Sequence, residues 1–281
     1  MGRKRRLKGT MENRLFRTMA VFLTICIGLI IIAFYLFFRS EMKSDRNKEL
    51  SNVSYLYAEK LNDVINGMES LCGVIGNNYD LQKTVRKKPE QEKRLYLQER
   101  CEVNGKLAML AQSYTGIPYE IAVVLDDGRT FSYGQHSLIR RDSIPDSGWH
   151  KEARNMDGIL WRYSEDPLVF NSLLAPYLAA QAPIYDIRTN QVCGVIYVEL
   201  SKDALNSLLG DMEDKDYQIC VLDGSEQLFA LNEEGASLTE KDYLVTDTLK
   251  NGWTLEMRLK YDRKLQLGIP VLLSFFLLLV I

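Results

Sequence analysis

LAAQAPIYDIRTNQVCGVIYVELSKDALNSLLG, residues 178–210, is the stretch that decides the fold. It opens with a largely apolar strand (178–186), turns at Ile187-Arg188-Thr189-Asn190, and returns as a second strand (191–200). Ser201 then offers a side-chain cap to a short helix, KDALNSLL, that stops at Gly210. Two adjacent strands followed by a capped helix make half of an α+β layer.

Working outward, the same grammar appears on both sides. YEIAVVL (119–125) and RTFSY (129–133) flank Asp126-Asp127-Gly128, where Gly supplies the positive φ of a tight turn. A short helix is expected around Trp149–Asn155, then a strand ILWRY (159–163). Downstream, YQICVLD (217–223) turns at Asp223-Gly224 into EQLFAL (226–231), and YLVTDTLK (243–250) turns at Asn251-Gly252 into WTLEMRLKY (253–261). Element order, not residue identity, repeats. The fold class is α+β, with two PAS-like modules whose sheets are antiparallel.

Upstream the period changes to helical. Leu50, Val53, Tyr57, Leu61, Val64, Met68, Leu71 and Ile75 recur in steps of three and four, and Gly67 and Gly73 weaken this helix without ending it. Asn77-Asn78 marks its terminus. A second helix is expected over Glu90–Tyr114 after Pro89, with Leu97, Cys101, Val103, Leu107, Leu110 and Tyr114 as its inner face.

Before all of this lies Ala20–Phe38, nineteen apolar or small residues without a charge. That is about enough to cross a ~30 Å hydrocarbon core as a helix. Continued through residue 76, the helix would make a rod of roughly 85 Å. Residues 1–19 carry seven Lys/Arg (Arg3, Lys4, Arg5, Arg6, Lys8, Arg14 and Arg17) against Glu12 alone, which predicts a cytoplasmic N-terminus. The segment is long for a cleaved leader, and no small-x-small site follows it, so a retained anchor is expected. A second apolar run, Leu267–Ile281, has fifteen residues and is expected to be an incomplete second crossing.

With 35 basic and 37 acidic residues overall, the part after residue 19 holds 28 and 36, a net of −8. A nucleic-acid partner is thereby disfavoured. The expected organisation is a basic tail (1–19), a first transmembrane helix (20–38), stalk and long helices (39–115), a membrane-distal module (116–200), a linker helix with a membrane-proximal module (201–264), and a second, partial transmembrane helix (265–281). Residues 39–265 are expected outside the cell.

No catalytic constellation can be assembled. GxSxG, HExxH, Walker and GxGxxG patterns are missing, there are two histidines (His136 and His150), and the cysteines (Cys26, Cys72, Cys101, Cys193, Cys220) have no metal spacing. No catalytic residue, cofactor or metal is expected. The outer cysteines read as buried free thiols, with a Cys72–Cys101 bridge as the alternative. A ligand pocket of aromatic walls and cations is the best candidate site: Arg140, Arg141, Trp149, Trp161, Tyr163 and Tyr185.

The stretches IAVVLDDGRTFSYG (121–134), GWHKEARNMDGILWRY (148–163), APIYDIRTNQVCGVIYVELSKDALNSLL (182–209), YQICVLDGSEQLFAL (217–231) and NGWTLEMRLKY (251–261), with the membrane layout, resemble the double-Cache sensor region of bacterial receptors. The wording is most similar to YesM-like two-component sensor histidine kinases. That resemblance implies an extracellular sensor for an unknown small ligand or binding protein. It also implies a homodimer in the lipid bilayer that signals to a cytoplasmic histidine kinase core encoded beyond Ile281. A chemoreceptor, a cyclase or a non-signalling surface binding protein would be the alternative outputs. Neither His136 nor His150 is the phosphoacceptor. Amino-acid-sensing Cache domains place an Arg two residues before a Trp-Tyr pair; here Ser147 and Trp149-His150 stand there, so the resemblance does not extend to an amino-acid ligand.

Overall fold

The computed structural model describes residues 2–86, 93–113, 117–134, 137–138, 144–164, 169–171, 177–209, 217–231 and 243–259. The expected second apolar run at 267–281, and Pro89, Tyr114, Arg140, Arg141 and His136 among the residues named above, lie outside these.

The first element, α1 (Gly2–Gly76), is helical from the basic tail through the apolar stretch and the striped segment. Two compact units divide the chain, Met1–Val53 with Gly235–Val245 and Arg258–Ile281, and Ser54–Glu234 with Thr246–Met257. In the first unit, α1 carries its apolar side chains outward, Phe22, Leu29 and Phe37 among them. It is the one helix among the described residues long and apolar enough to cross a membrane. An apolar surface on all sides suits lipid and not water.

In the second unit α1 is amphipathic as its period requires. Leu61, Val64, Met68, Leu71 and Ile75 are buried, joined by Ala58, Ile65 and Cys72. Gly67 allows close approach: a Cβ there would collide with the Tyr119 hydroxyl, which donates to the Val64 carbonyl at 3.3 Å. Asn78 begins α2 (Tyr79–Arg86) by accepting from the amides of Asp80 and Leu81, each at 3.1 Å. This short helix is an addition to the sequence reading.

The next helix, α3 (Lys93–Ser113), corrects the expected inner face. Val103, Leu107 and Ala111 are buried with Glu99, whereas Leu97 and Cys101 are exposed. Residues 101 and 103 stand ~200° apart on a helix, so one stripe cannot hold both. The Cys72–Cys101 bridge falls with it, and so does burial of all four outer thiols: Cys72 and Cys220 are buried, Cys193 is half-buried, Cys101 is exposed, and none forms a disulfide.

Five strands follow the order β2-β1-β7-β6-β4, with β1 (Glu120–Leu125), β2 (Thr130–Tyr133), β4 (Leu160–Ser164), β6 (Tyr177–Tyr185) and β7 (Val192–Ser201). Its described pairings are antiparallel. The predicted turns hold, with Gly128 at φ +84° and Asn190 at φ +53°. Two short strands, β3 (Ser137–Leu138) and β5 (Phe170–Asn171), pair with each other. Between β3 and β4 lies α4 (Gly148–Asn155), capped by Ser147. After β7 comes α5 (Lys202–Leu209), whose Ala204 amide donates to Ser201 Oγ at 3.2 Å. A second sheet, in the order β10-β11-β8-β9, is made by β8 (Tyr217–Asp223), β9 (Glu226–Leu231), β10 (Tyr243–Thr248) and β11 (Thr254–Leu259). Helix α3 packs on β2, whose edge it closes through Asn104 Oδ1, the acceptor for the Ser132 amide at 2.8 Å.

A buried guanidinium ties the helices to the first hairpin. Arg129 donates to the carbonyls of Thr84 (2.9 Å) and Val85 (3.3 Å) at the end of α2, and to Asp127 at 2.8 Å. Glu99 of α3 approaches it to 3.6 Å.

Candidate functional site on the covered face of the five-stranded sheet

Strand alternation gives β7 two sets of side chains. Val195, Tyr197 and Glu199 point to one face, Ile196, Val198 and Leu200 to the other. Register extends the first set across the sheet. Glu199 stands opposite Glu120 of β1 and Ala179 of β6; Tyr197 stands opposite Ala122 and Gln181. Leu160 and Arg162 of β4 continue the two rows beyond Gln181 and Ala179. This face is covered by Ile144, Ala153, Val169 and Phe170, with Trp149 packed against them.

Under α4 the cover is aromatic and polar. Trp149 meets the Tyr197 ring edge-on at 5.4 Å. His150 Nδ1 lies 2.6 Å from the Tyr197 hydroxyl. Burial lowers the His150 pKa, with Asp126 opposing and Arg154 and Lys151 assisting. Burial, aided by the charge of Glu199, raises the Tyr197 hydroxyl far above the ordinary phenol range. A neutral imidazole and a neutral phenol therefore share this bond.

Across the two rows, polar capacity is left unfilled. Gln181 is completely buried, and neither its amide oxygen nor its nitrogen has a hydrogen-bond partner. Glu199 is also completely buried, and neither carboxyl oxygen closes a well-formed hydrogen bond. Its pKa is pushed up to about 8, first by burial and then by the Glu120 charge, while the backbone amides of Val169 and Phe170 pull the other way. Leaving such groups without partners costs roughly 1–3 kcal/mol each. Native folds tolerate that cost chiefly where something else supplies the partner.

The six residues named from sequence do not come together. Trp149 stands on the covered face. Trp161 and Tyr163 alternate with Arg162 and so take the opposite face. There Trp161 meets Trp253 at 5.6 Å and Tyr163 meets Phe229 at 5.3 Å, joining the two sheets. Tyr185, past a bulge at the end of β6, is exposed, and its carbonyl accepts from buried Gln82 at 2.8 Å. Arg140 and Arg141 lie outside the described residues. Sequence reasoning missed Glu120, Gln181, Tyr197 and Glu199. The available signal was one polar residue in each of three strands that are otherwise nearly apolar. Ser147, at the position where the amino-acid-sensing pattern has Arg, caps α4 by accepting from the His150 amide at 3.3 Å.

No nucleophile–base pair is assembled here, and no metal-binding group of His, Cys, Asp and Glu occurs among the described residues.

No protein-family model and no curated protein sequence matches the chain. Solved structures do. The sensor domain of the V. cholerae histidine kinase DctB matches with a TM-score of 0.53 at 8% identity, covering 78% of this chain and 99% of that one. The ligand-binding domain of the Campylobacter jejuni chemoreceptor Tlp3, solved with L-valine, matches at 0.51 and 13% identity, covering 80% and 96%. That of the Pseudomonas aeruginosa PAO1 amino-acid chemoreceptor PctC, solved with GABA, matches at 0.50 and 13%, covering 76% and 99%. At these identities the likeness is one of fold. The chain has the α+β, Cache/PAS-like fold of receptor sensor domains.

Proposed function

We propose that this chain is the signal-sensing region of a membrane-bound receptor, binding a small polar ligand on the face of the five-stranded sheet covered by α4. One observation carries the reading: Gln181 is fully buried without a hydrogen-bond partner on that face, beside a fully buried Glu199 whose carboxyl oxygens close no well-formed hydrogen bond, in a fold shared with ligand-binding sensor domains. Trp149, Tyr197 and His150 would form the wall of the site.

The receptor sits in the bilayer through Ala20–Phe38, with its basic tail in the cytoplasm and residues 39–265 outside, as the seven cations of residues 1–19 favour. In this reading residues 116–200 are the membrane-distal module and 201–264 the membrane-proximal one, and the working form is a homodimer. The output is a histidine kinase, which the sequence resemblance and the DctB likeness support. The Tlp3 and PctC likenesses support a chemoreceptor output as the second reading. A HAMP-like helix pair and a phosphoacceptor His encoded after Ile281 would establish the kinase; a long heptad rod would establish the chemoreceptor.

Ligand binding is tested by thermal shift of the full chain in detergent against a library of small polar metabolites. The expected result is a ligand that stabilises the wild type and fails to stabilise the Glu199→Gln/Gln181→Leu variant. A ligand that stabilises both equally, or a library without a hit at millimolar concentration, overturns the reading.

A further inference from the structure

Gln181 stands on β6 with neither end of its amide in use: it is completely buried, and Oε1 and Nε2 both lack partners. Across the strands it faces Tyr197 of β7 and Leu160 of β4. Along β6 its neighbours on the same face are Ala179 and Pro183. The side chains of Leu160, Ala179 and Pro183 cannot hydrogen-bond, and the Tyr197 hydroxyl is engaged by His150 Nδ1 at 2.6 Å. None of these four neighbours carries a charge, since burial keeps Tyr197 a neutral phenol.

The space next to Gln181 has a low floor. Ala179 is the partner of both Glu199 and Arg162, so a small side chain separates two long ones. Arg162 gives Nη2 to Glu152 at 2.6 Å, which neutralises it, and its Nε has no partner. Trp149, edge-on to Tyr197 at 5.4 Å, is an aromatic wall against which a flat ring can lie.

These neighbours select the chemistry of what Gln181 can meet. A ketone or an ether would fill one end of the amide and strand the other. An ionised group would shed its hydration with no counter-charge among the four neighbours. A second amide fills both ends, provided that its N–H and C=O lie on one edge, as the oxygen and one N–H of a glutamine amide do. A trans peptide bond sets them on opposite edges. A lactam ring fixes them on the same one.

We propose that the ligand carries a cyclic cis-amide edge, as in a lactam, imide or ureide, which pairs with the Gln181 amide through two hydrogen bonds. This rests on the sensor reading above and deepens it by naming the ligand's chemistry. The ring N–H donates to Gln181 Oε1, and the ring carbonyl accepts from Gln181 Nε2. A second ring carbonyl accepts from Arg162 Nε. No covalent bond is made or broken and no proton changes hands.

The test titrates the full chain in detergent with 2-piperidinone, cyclo(Gly-Gly) and uracil, followed by saturation-transfer NMR. The controls are 1-methyl-2-piperidinone, which lacks the N–H, and N-methylacetamide, whose amide is trans. 2-Piperidinone should bind about tenfold or more tightly than either control. The two-carbonyl rings should bind more tightly still, and the better of them tells a peptide-derived from a nucleobase-derived source. Gln181→Met should abolish the preference for the N–H probe. Without ligand it should melt at or above the wild type, because an apolar chain of similar length replaces an unused buried amide. A lower melting point of ligand-free Gln181→Met would make the amide structural and overturn the inference. So would equal binding of 2-piperidinone and its N-methyl derivative, or no binding of the three probes. A library ligand without a cis-amide edge also overturns it, and leaves the sensor reading standing. Failure of the sensor reading looks different, because then neither the library nor the ring amides bind.

Discussion

Replacing Glu199 by Gln should stabilise the protein, and by more as the pH rises. In the unfolded chain the carboxyl titrates near its ordinary 4.5; in the folded protein burial and the Glu120 charge push it up to about 8. Between those values unfolding releases a proton, so the wild type loses stability as the pH rises through the window and levels off above it. Each pH unit is worth about 1.4 kcal/mol. By pH 7 the loss is about 3 kcal/mol, and over the whole window about 5. Glutamine has nearly the shape of the neutral acid and cannot ionise. At pH 5 the two proteins should therefore melt within about 1 kcal/mol of each other, and by pH 7 the variant should lead by about 3. In melting temperature, about 2–4 °C per kcal/mol makes that lead roughly 6–12 °C. Thermal melts of the detergent-solubilised chain followed by circular dichroism from pH 5 to 9 read it directly. The titration of His150 cancels in the comparison, since both proteins carry it. A gap that stays constant with pH, or a variant less stable throughout, would refute a buried, proton-holding Glu199.

Arg129→Met should destabilise by about 3–5 kcal/mol, because it strands buried Glu99 and the Thr84 carbonyl; chemical denaturation measures it, and limited proteolysis should cut first around α2. His150→Phe should remove an acid-side slope. Its folded pKa lies below 6.5, so the wild type loses stability as pH falls below that value and the variant should not; melts between pH 7 and 5 check the sign. A double-mutant cycle on Trp161→Ala and Trp253→Ala should give about 0.5–1.5 kcal/mol of coupling from the edge-to-face pair; additive losses would mean that the rings do not join the sheets. Gly67→Ala sets a helix-propensity gain of about 1 kcal/mol against about 1–3 kcal/mol for the collision with Tyr119. A small net loss is expected from denaturant melts, and it should vanish in a Tyr119→Phe background.

Much of the architecture was legible because its signals are local. Asp-Gly and Asn-Gly pairs need a positive φ, and Gly128, Gly224 and Gly252 have it. The stripe from Leu61 to Ile75 obeys the helical period and is buried as that period demands. The eight-residue α2 was not legible, since its two turns sit between polar flanks and are held by non-local bonds, Gln82 to Tyr185 and Arg129 to Thr84. The site was harder still. Trp149, Trp161 and Tyr163 look alike as aromatic residues in neighbouring segments, yet strand parity sends the last two to the other face. Register cannot be read before pairing is known, so Glu120, Gln181 and Glu199 stay anonymous polar residues in three separate strands. Only the order β1-β7-β6 makes them neighbours on one face, Glu120 and Glu199 in one row and Gln181 in the next.

That parity also offers a route by which an occupied site could reach α1. Within β7, Tyr197 and Glu199 face the site while Ile196 faces away, its Cδ1 3.6 Å from where a Cβ on Gly76 would sit, at the end of α1. In β1, Glu120 stands opposite Glu199, and its neighbour Tyr119 bonds to α1 at Val64. The strands that carry Glu120 and Glu199 thus each lead to a contact with this helix. A close-packed interior does not absorb a new group by compressing. If a ligand enters against the covered face, a change in the spacing of β1 and β7 is transmitted to α1 through Tyr119 and Ile196. Signal strength should then depend on the Tyr119–Val64 contact even though neither residue touches the ligand. Tyr119→Phe would therefore keep ligand affinity while weakening the output of the full receptor, and equal losses of both would mean that the coupling runs elsewhere.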